Sequence, residues 1–134
     1  MTDEMIKKSE TSSARRERRL RELEKEGRFI RPLVDIIETQ DNYLIYVDMP
    51  GVKKEDITIQ LEAEDLVLDG MVSRDYWKEG KLLCNECFYT RYHRDFMVDY
   101  DIDRSKIHAE FNNGVLTIKL QKQEEAKPRE IQIN

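Results

Sequence analysis

Residues 106–121 read KIHAEFNNGVLTIKLQ. Two runs in which apolar and polar residues alternate flank Asn113-Gly114, and alternation of this kind marks a half-buried strand. Asn-Gly between two such runs is the strongest short-range signal for a tight hairpin. The same period runs through most of the chain, in LVDIIET, NYLIYVDM, DITIQLE, DLVLDGMV and FYTRYHRDFMV. Turn residues divide these segments: Asp41-Asn42 the first pair, Pro50-Gly51 after the second, Ala63-Glu64 after the third. Seven or so short strands with no helix between them predict an all-β protein built as an antiparallel β-sandwich.

Ahead of the strands lies a different texture. SSARRERRLRELEKEG (12–27) is made of strong helix formers, with Ser12 or Ser13 placed to cap its start and Gly27 its end. Glu17 precedes Arg21 by four residues, the favourable orientation for a helical ion pair. Apolar residues are nearly confined to Ala14, Leu20 and Leu23, so the expectation is a solvated, partly formed helix. Residues 1–31 hold ten Lys/Arg against seven Asp/Glu, whereas residues 32–134 hold thirteen against twenty-one. A charged arm (1–31) thus precedes an acidic body (32–121), and a polar tail (122–134) follows.

Composition excludes several classes of function. The net charge of −5 and acids interrupting the basic arm, with no aromatics among them, argue against nucleic acid as a partner. No apolar run approaches the ~20 residues of a membrane span, so no membrane partner is expected. The N-terminal residues lack an apolar leader core, which makes a cytoplasmic location the expectation. Five scattered glycines form no phosphate-binding loop, and no carboxylate pair or Ser/His/Asp set assembles. Neither enzyme activity nor a cofactor is expected.

Residues 72–87, VSRDYWKEGKLLCNEC, break the strand spacing. Long excursions tend to be functional, and this one carries Tyr76, Trp77, Leu82 and Leu83, apolar residues suited to docking on another subunit. It also carries a C-x-x-C, Cys84 and Cys87. One such pair supplies two of the four ligands of structural zinc, so metal binding would need His93, His108 or a second subunit. Redox catalysis wants a thiolate at a helix N-terminus, and here Glu86 lies between the cysteines at a strand start. Inert loop thiols are the expectation, and His93, alternating with Tyr92, is expected at the surface.

Four stretches together resemble the small heat-shock protein family, whose common core is the α-crystallin domain. MPGVKKEDI (49–57) is similar to the family's Pro-Gly-Val turn leading into a strand. AEFNNGVLTIKLQK (109–122) resembles its Ala…Asn-Gly-Val-Leu-x-Ile signature. Glu86, Tyr92, Arg94, Phe96, Val98, Ile102 and Asp103 match the segment around its central arginine, and IQI (131–133) its I-x-I tail motif. The match covers residues 33–133 in order. Cys87, Thr90, Asp99 and Gln121 depart from residues common in the family (Arg, Gly, Pro and Pro), which bears on local loops. The charged arm departs further, since family arms are usually longer and rich in phenylalanine.

The resemblance implies an immunoglobulin-like sandwich acting as an ATP-independent holdase, binding unfolded or misfolded clients and assembling with itself as a dimer and then a larger oligomer. Ile131 and Ile133 then form the assembly clasp, pointing to one side of an extended chain. The residues implied to accept them are Ile57, Ile59 and Leu61 with Ile107 and Ala109. Lys122–Glu130, with Pro128, becomes a tether reaching roughly 30 Å. A strand near Tyr76–Lys78 is implied in a swapped dimer, with Trp77 and an Arg94 set among acidic residues at that interface. The competing reading is a co-chaperone or scaffold on the same sandwich, binding one native partner.

Overall fold

The computed structural model describes residues 10–87, 89–99, 101–124 and 130–134. Its elements run α1 (Ser12–Glu24), β1 (Phe29–Ile30), β2 (Val34–Glu38), β3 (Asn42–Asp48), β4 (Val52–Glu62), β5 (Asp65–Val72), a 3₁₀ turn (Asp75–Glu79), β6 (Arg91–Met97), β7 (Ile102–Asn112) and β8 (Val115–Lys122). The strands form two four-stranded sheets, ordered β1-β6-β5-β4 and β2-β3-β8-β7. Every pairing is antiparallel except β1 with β6, where Phe29 lies opposite Arg91 and Ile30 opposite Tyr92. The seven strands expected from alternation are present, and β1 is an eighth.

The hairpin that opened the reading forms at Asn113-Gly114, with φ of 50° and 78°. Both central residues are left-handed, as a type I′ turn requires. A side chain at position 114 would also press on Pro50, whose Cα lies 3.5 Å from where a Cβ would stand. Asn112 and Val115 face each other and the register continues through Phe111↔Leu116 and Ala109↔Ile118. The Ala63-Glu64 hairpin also closes, with Ala63 at φ 53°. In the β2-β3-β8-β7 sheet, Ile45, Val47, Leu116, Ile118 and Leu120 are buried on alternate positions. Tyr43 donates to Asp101 at 2.7 Å, and with burial and Glu38 this holds the phenol well above its usual pKa.

In the β1-β6-β5-β4 sheet the alternation separates two kinds of face. Ile57, Ile59 and Leu61 share a side with Leu66 and Leu68; Glu62, Asp65, Val67 and Asp69 share the other with His93 and Asp95. Helix α1 lies on this second, acidic face. It is capped not by Ser12 or Ser13 but by Thr11, whose hydroxyl accepts from the Ala14 amide at 3.1 Å. Its end comes at Lys25, before Gly27.

Candidate functional site

The features that bear on function are two strand edges, an exposed excursion, an apolar tail and a helix held by arginines. Strand β4 is the outer strand of its sheet, and its half-buried Ile57, Ile59 and Leu61 alternate with polar residues. Strand β7 is the outer strand of the other sheet, with Ile107 half-buried and Ala109 exposed. Each presents a row of backbone groups with no strand beyond it among the described residues, the geometry that accepts an added peptide strand. Strand β2, at the far border of the second sheet, leaves Leu33, Ile36 and Ile37 exposed around it. Ile131 and Ile133 are 83% and 98% exposed, so within one chain these two side chains have not folded back onto their own domain. Residues 125–129, including Pro128 of the tether, lie outside the described residues.

The excursion departs from its expected shape. In the single chain Tyr76–Lys78 fall in the 3₁₀ turn; the strand expected there is one paired with a second subunit. Arg74 organises the turn: its Nη2 donates to the carbonyls of Cys87 and Tyr89, both at 2.6 Å. Its guanidinium lies 5.0 Å from the Trp77 ring, a cation–π distance. Lys53 pairs with Asp75. Residues 81–87 carry no regular structure, and Leu82 and Leu83 are exposed. In the single chain Arg94 has no carboxylate at hydrogen-bond distance among the described residues. Its Nη1 donates to the Pro32 carbonyl at 3.0 Å and its guanidinium lies 5.2 Å from the Phe96 ring. Burial and the charge of Arg31 hold its pKa down.

Helix α1 overturns the expectation of a solvated arm. Arg15, Arg19 and Leu23 are its buried residues, spaced by four and therefore on one face. Arg15 Nε meets Asp65 at 3.1 Å. Arg19 reaches three carboxylates: Asp65 at 2.7 Å, Asp95 at 2.9 Å and Glu62 at 3.2 Å. Arg18 binds Glu62 at 2.6 Å and Arg16 binds Asp95 at 3.1 Å. Burial pushes the Asp65 carboxyl up, but hydrogen bonds from Arg19 and Arg15 outweigh it and hold Asp65 below its usual value. Glu62 is held down in the same way, burial being overcome by Arg18 and Arg19. His93 is likewise not at the surface. It is only 4% exposed, with Nδ1 2.9 Å from Asp69 and the Phe29 ring edge-on at 6.0 Å.

A sequence signal for this clamp existed, but it was guanidinium rather than apolar in character. Among the described residues no group of three or more His, Cys, Asp or Glu is arranged to hold a metal ion, and no helix is long and apolar enough to cross a membrane. Cys84 and Cys87 are free and exposed.

Comparison with known proteins matches residues 35–134 to the family model described as "Hsp20/alpha crystallin family". The chain is 33% identical over 96 residues to a "Probable 15 kDa heat shock protein" of Leptospira interrogans, covering 71% of this chain and 72% of that one. Among solved structures, heat shock protein 16.0 from Schizosaccharomyces pombe superposes with a TM-score of 0.64 at 30% identity, over 78% of this chain and 98% of that chain. A small heat-shock protein from Xylella fastidiosa, whose structure is described as a distinct high order structure, gives 0.59 at 28% identity, over 77% and 95%. The expected fold class, the immunoglobulin-like β-sandwich of the α-crystallin domain, is the one these structures share with this chain.

Proposed function

This chain belongs to the Hsp20/alpha crystallin family, a family of non-enzymatic chaperones, and from that premise we propose that it is a cytoplasmic, ATP-independent holdase. It binds unfolding proteins through apolar surface and strand edges, and it stores those surfaces by assembling with itself. The observation that carries the reading is the coexistence of open apolar edges with a tail whose isoleucines are exposed.

The assembly has two contacts. In the first, Ile131 and Ile133 enter a neighbouring subunit as an added strand segment, each burying roughly 1.5–3 kcal/mol of side chain. The accepting rows are Ile57, Ile59 and Leu61 on β4, and Ile107 and Ala109 on β7. One such contact is weak, and repetition across a particle makes it firm while leaving each one releasable. In the second, the 72–87 excursion leaves its own subunit and docks on a second copy, with Tyr76, Trp77 and the neighbouring Leu82 and Leu83 supplying apolar area. The exposed border of β2 is the receiving strand. Arg94, braced by Pro32 and Phe96, orients the end of this region rather than supplying an ion pair. The division into an arm (1–31), a sandwich (32–121) and a tail (122–134) belongs to this proposal.

A second reading, an adaptor for one native partner, draws on the arm: α1 is held on its own domain by charge instead of offering phenylalanines to clients. Purified protein mixed without ATP with several unrelated, heat- or reductant-destabilised proteins separates the two. A holdase suppresses the light scattering of most of them at near-stoichiometric ratios. Protection of none rejects the holdase in favour of the adaptor.

A further inference from the structure

The proposed assembly makes no use of the two thiols in the excursion. Cys84 and Cys87 are both free and exposed, and they line a hollow of about 470 Å³ with Tyr76, Trp77 and Leu82. The carbonyl of Cys87 is gripped by Arg74, which fixes one end of the pair. No helix or strand constrains residues 81–87, so the other end is free to approach. A disulfide needs Cα atoms about 4.4–6.8 Å apart. An extended strand sets residues three apart at about 10 Å, at roughly 3.3 Å per residue. A Cys84–Cys87 bond and a strand through 84–87 are therefore mutually exclusive.

We propose that Cys84 and Cys87 form a reversible dithiol–disulfide site that decides whether residues 81–87 extend onto a second subunit. The coupling rests on reading 72–87 as the dimerisation excursion. The oxidant is a small-molecule disulfide, RSSR. One cysteine thiolate attacks a sulfur of RSSR, forming a mixed disulfide as the S–S electron pair leaves with RS⁻. The second thiolate attacks the protein sulfur of that mixed disulfide and expels another RS⁻. The two protons lost by the cysteines end on two RSH, so the protein loses two electrons and RSSR gains them. The reduced excursion is free to carry its extension past Tyr76–Lys78 and on through 81–87 along the second subunit; the oxidised one is locked in a turn that stops that extension before Cys84, leaving too short a segment to pair. Exposed disulfides of this kind are the readily reduced ones, which makes the change reversible.

The full chain is first sized in dithiothreitol, then treated with oxidised glutathione, and its intact mass and dimer dissociation constant are measured again. The expected result is loss of two hydrogens in mass, a dissociation constant raised about tenfold or more, and recovery on reduction. Cys84→Ser and Cys87→Ser each dimerise like the parent and, with one thiol left, gain at most a glutathione adduct, with no loss of two hydrogens and no change in the dissociation constant. An intramolecular bond that leaves the dimer unchanged overturns the coupling, and formation of only glutathione adducts or intersubunit bonds overturns the site. A chain already monomeric in dithiothreitol refutes the dimer reading and the switch with it, a result visible before oxidant is added.

Discussion

The two appendages of this chain behave oppositely. Helix α1 is rich in charge and lies docked, its Arg15 and Arg19 buried against Asp65. The tail ends in two isoleucines and stands exposed. Composition alone points the other way, since charged segments belong in water and isoleucines inside. The difference is one of available partners. Arginines find their complement on the same chain, because alternation collects Glu62, Asp65 and Asp95 on one sheet face, and one guanidinium, that of Arg19, spreads its donors over all three. The isoleucines need a strand edge with an apolar row, and that is expected on another subunit. Charge here closes a chain on itself, while the tail's isoleucines stay exposed, where the proposed association would use them.

The contrast is tested most severely at the tail. Replacing Ile131 and Ile133 together by alanine, or ending the chain at Lys127, is expected to reduce a large assembly to a dimer in sizing chromatography, while the melting temperature of the sandwich stays within a few degrees. If both variants elute with the parent, the tail is not the clasp. At the other appendage, Asp65→Asn leaves Arg15 and Arg19 facing a neutral amide. With charge-assisted hydrogen bonds worth about 1.5–3 kcal/mol each, α1 should lose roughly 2–3 kcal/mol of docking. Amide exchange would speed up over 12–24 and leave β8 unchanged. Equal acceleration in both would mean the pair supports the whole fold and not the helix alone.

Acid sharpens the same comparison. Asp65 and Glu62 have folded pKa values below the ordinary carboxylate range, so they hold fewer protons docked than free. Their contribution is full above that ordinary range and disappears as pH falls through the depressed folded values. Helix protection should therefore fall below about pH 4, with no matching change in the accessibility of Ile131 and Ile133 in a dimeric variant. The smallest effect is expected at Lys53→Ala, which removes an exposed pair with Asp75. Exposed pairs contribute little, and calorimetry should register no change in melting.

Much of the fold was legible because alternation and turn chemistry are local. Asn113-Gly114 and Ala63-Glu64 each announce a hairpin within a few residues, and the strands on either side follow. Ile57, Ile59 and Leu61 lie on the outer strand β4 and Ile107 and Ala109 on the outer strand β7, and their part in accepting a tail belongs to the proposal. What escaped was long-range and polar. Arg19 meets Asp95 across 76 residues of sequence, and a search for an apolar stripe on α1 passes over a stripe of Arg15, Arg19 and Leu23. His93 escaped with it, since its burial comes from the covering arm and not from its own strand. The roles of Arg94 and Tyr76–Lys78 come from a resemblance to assembled proteins and concern contacts with a second subunit, whereas the single chain pairs the guanidinium with a carbonyl and holds Tyr76–Lys78 in a turn.

Strand β1 is only two residues long, yet it lies parallel along β6. It acts as a doorstop: the chain's own leading segment occupies the start of β6, at Arg91 and Tyr92, and the opposite side of the sheet stays ajar at β4. Stacking of copies flank to flank into an endless ribbon would need both sides open. Strand addition along a whole border of this sheet is thereby left to β4, while the other sheet keeps both of its borders, β2 and β7.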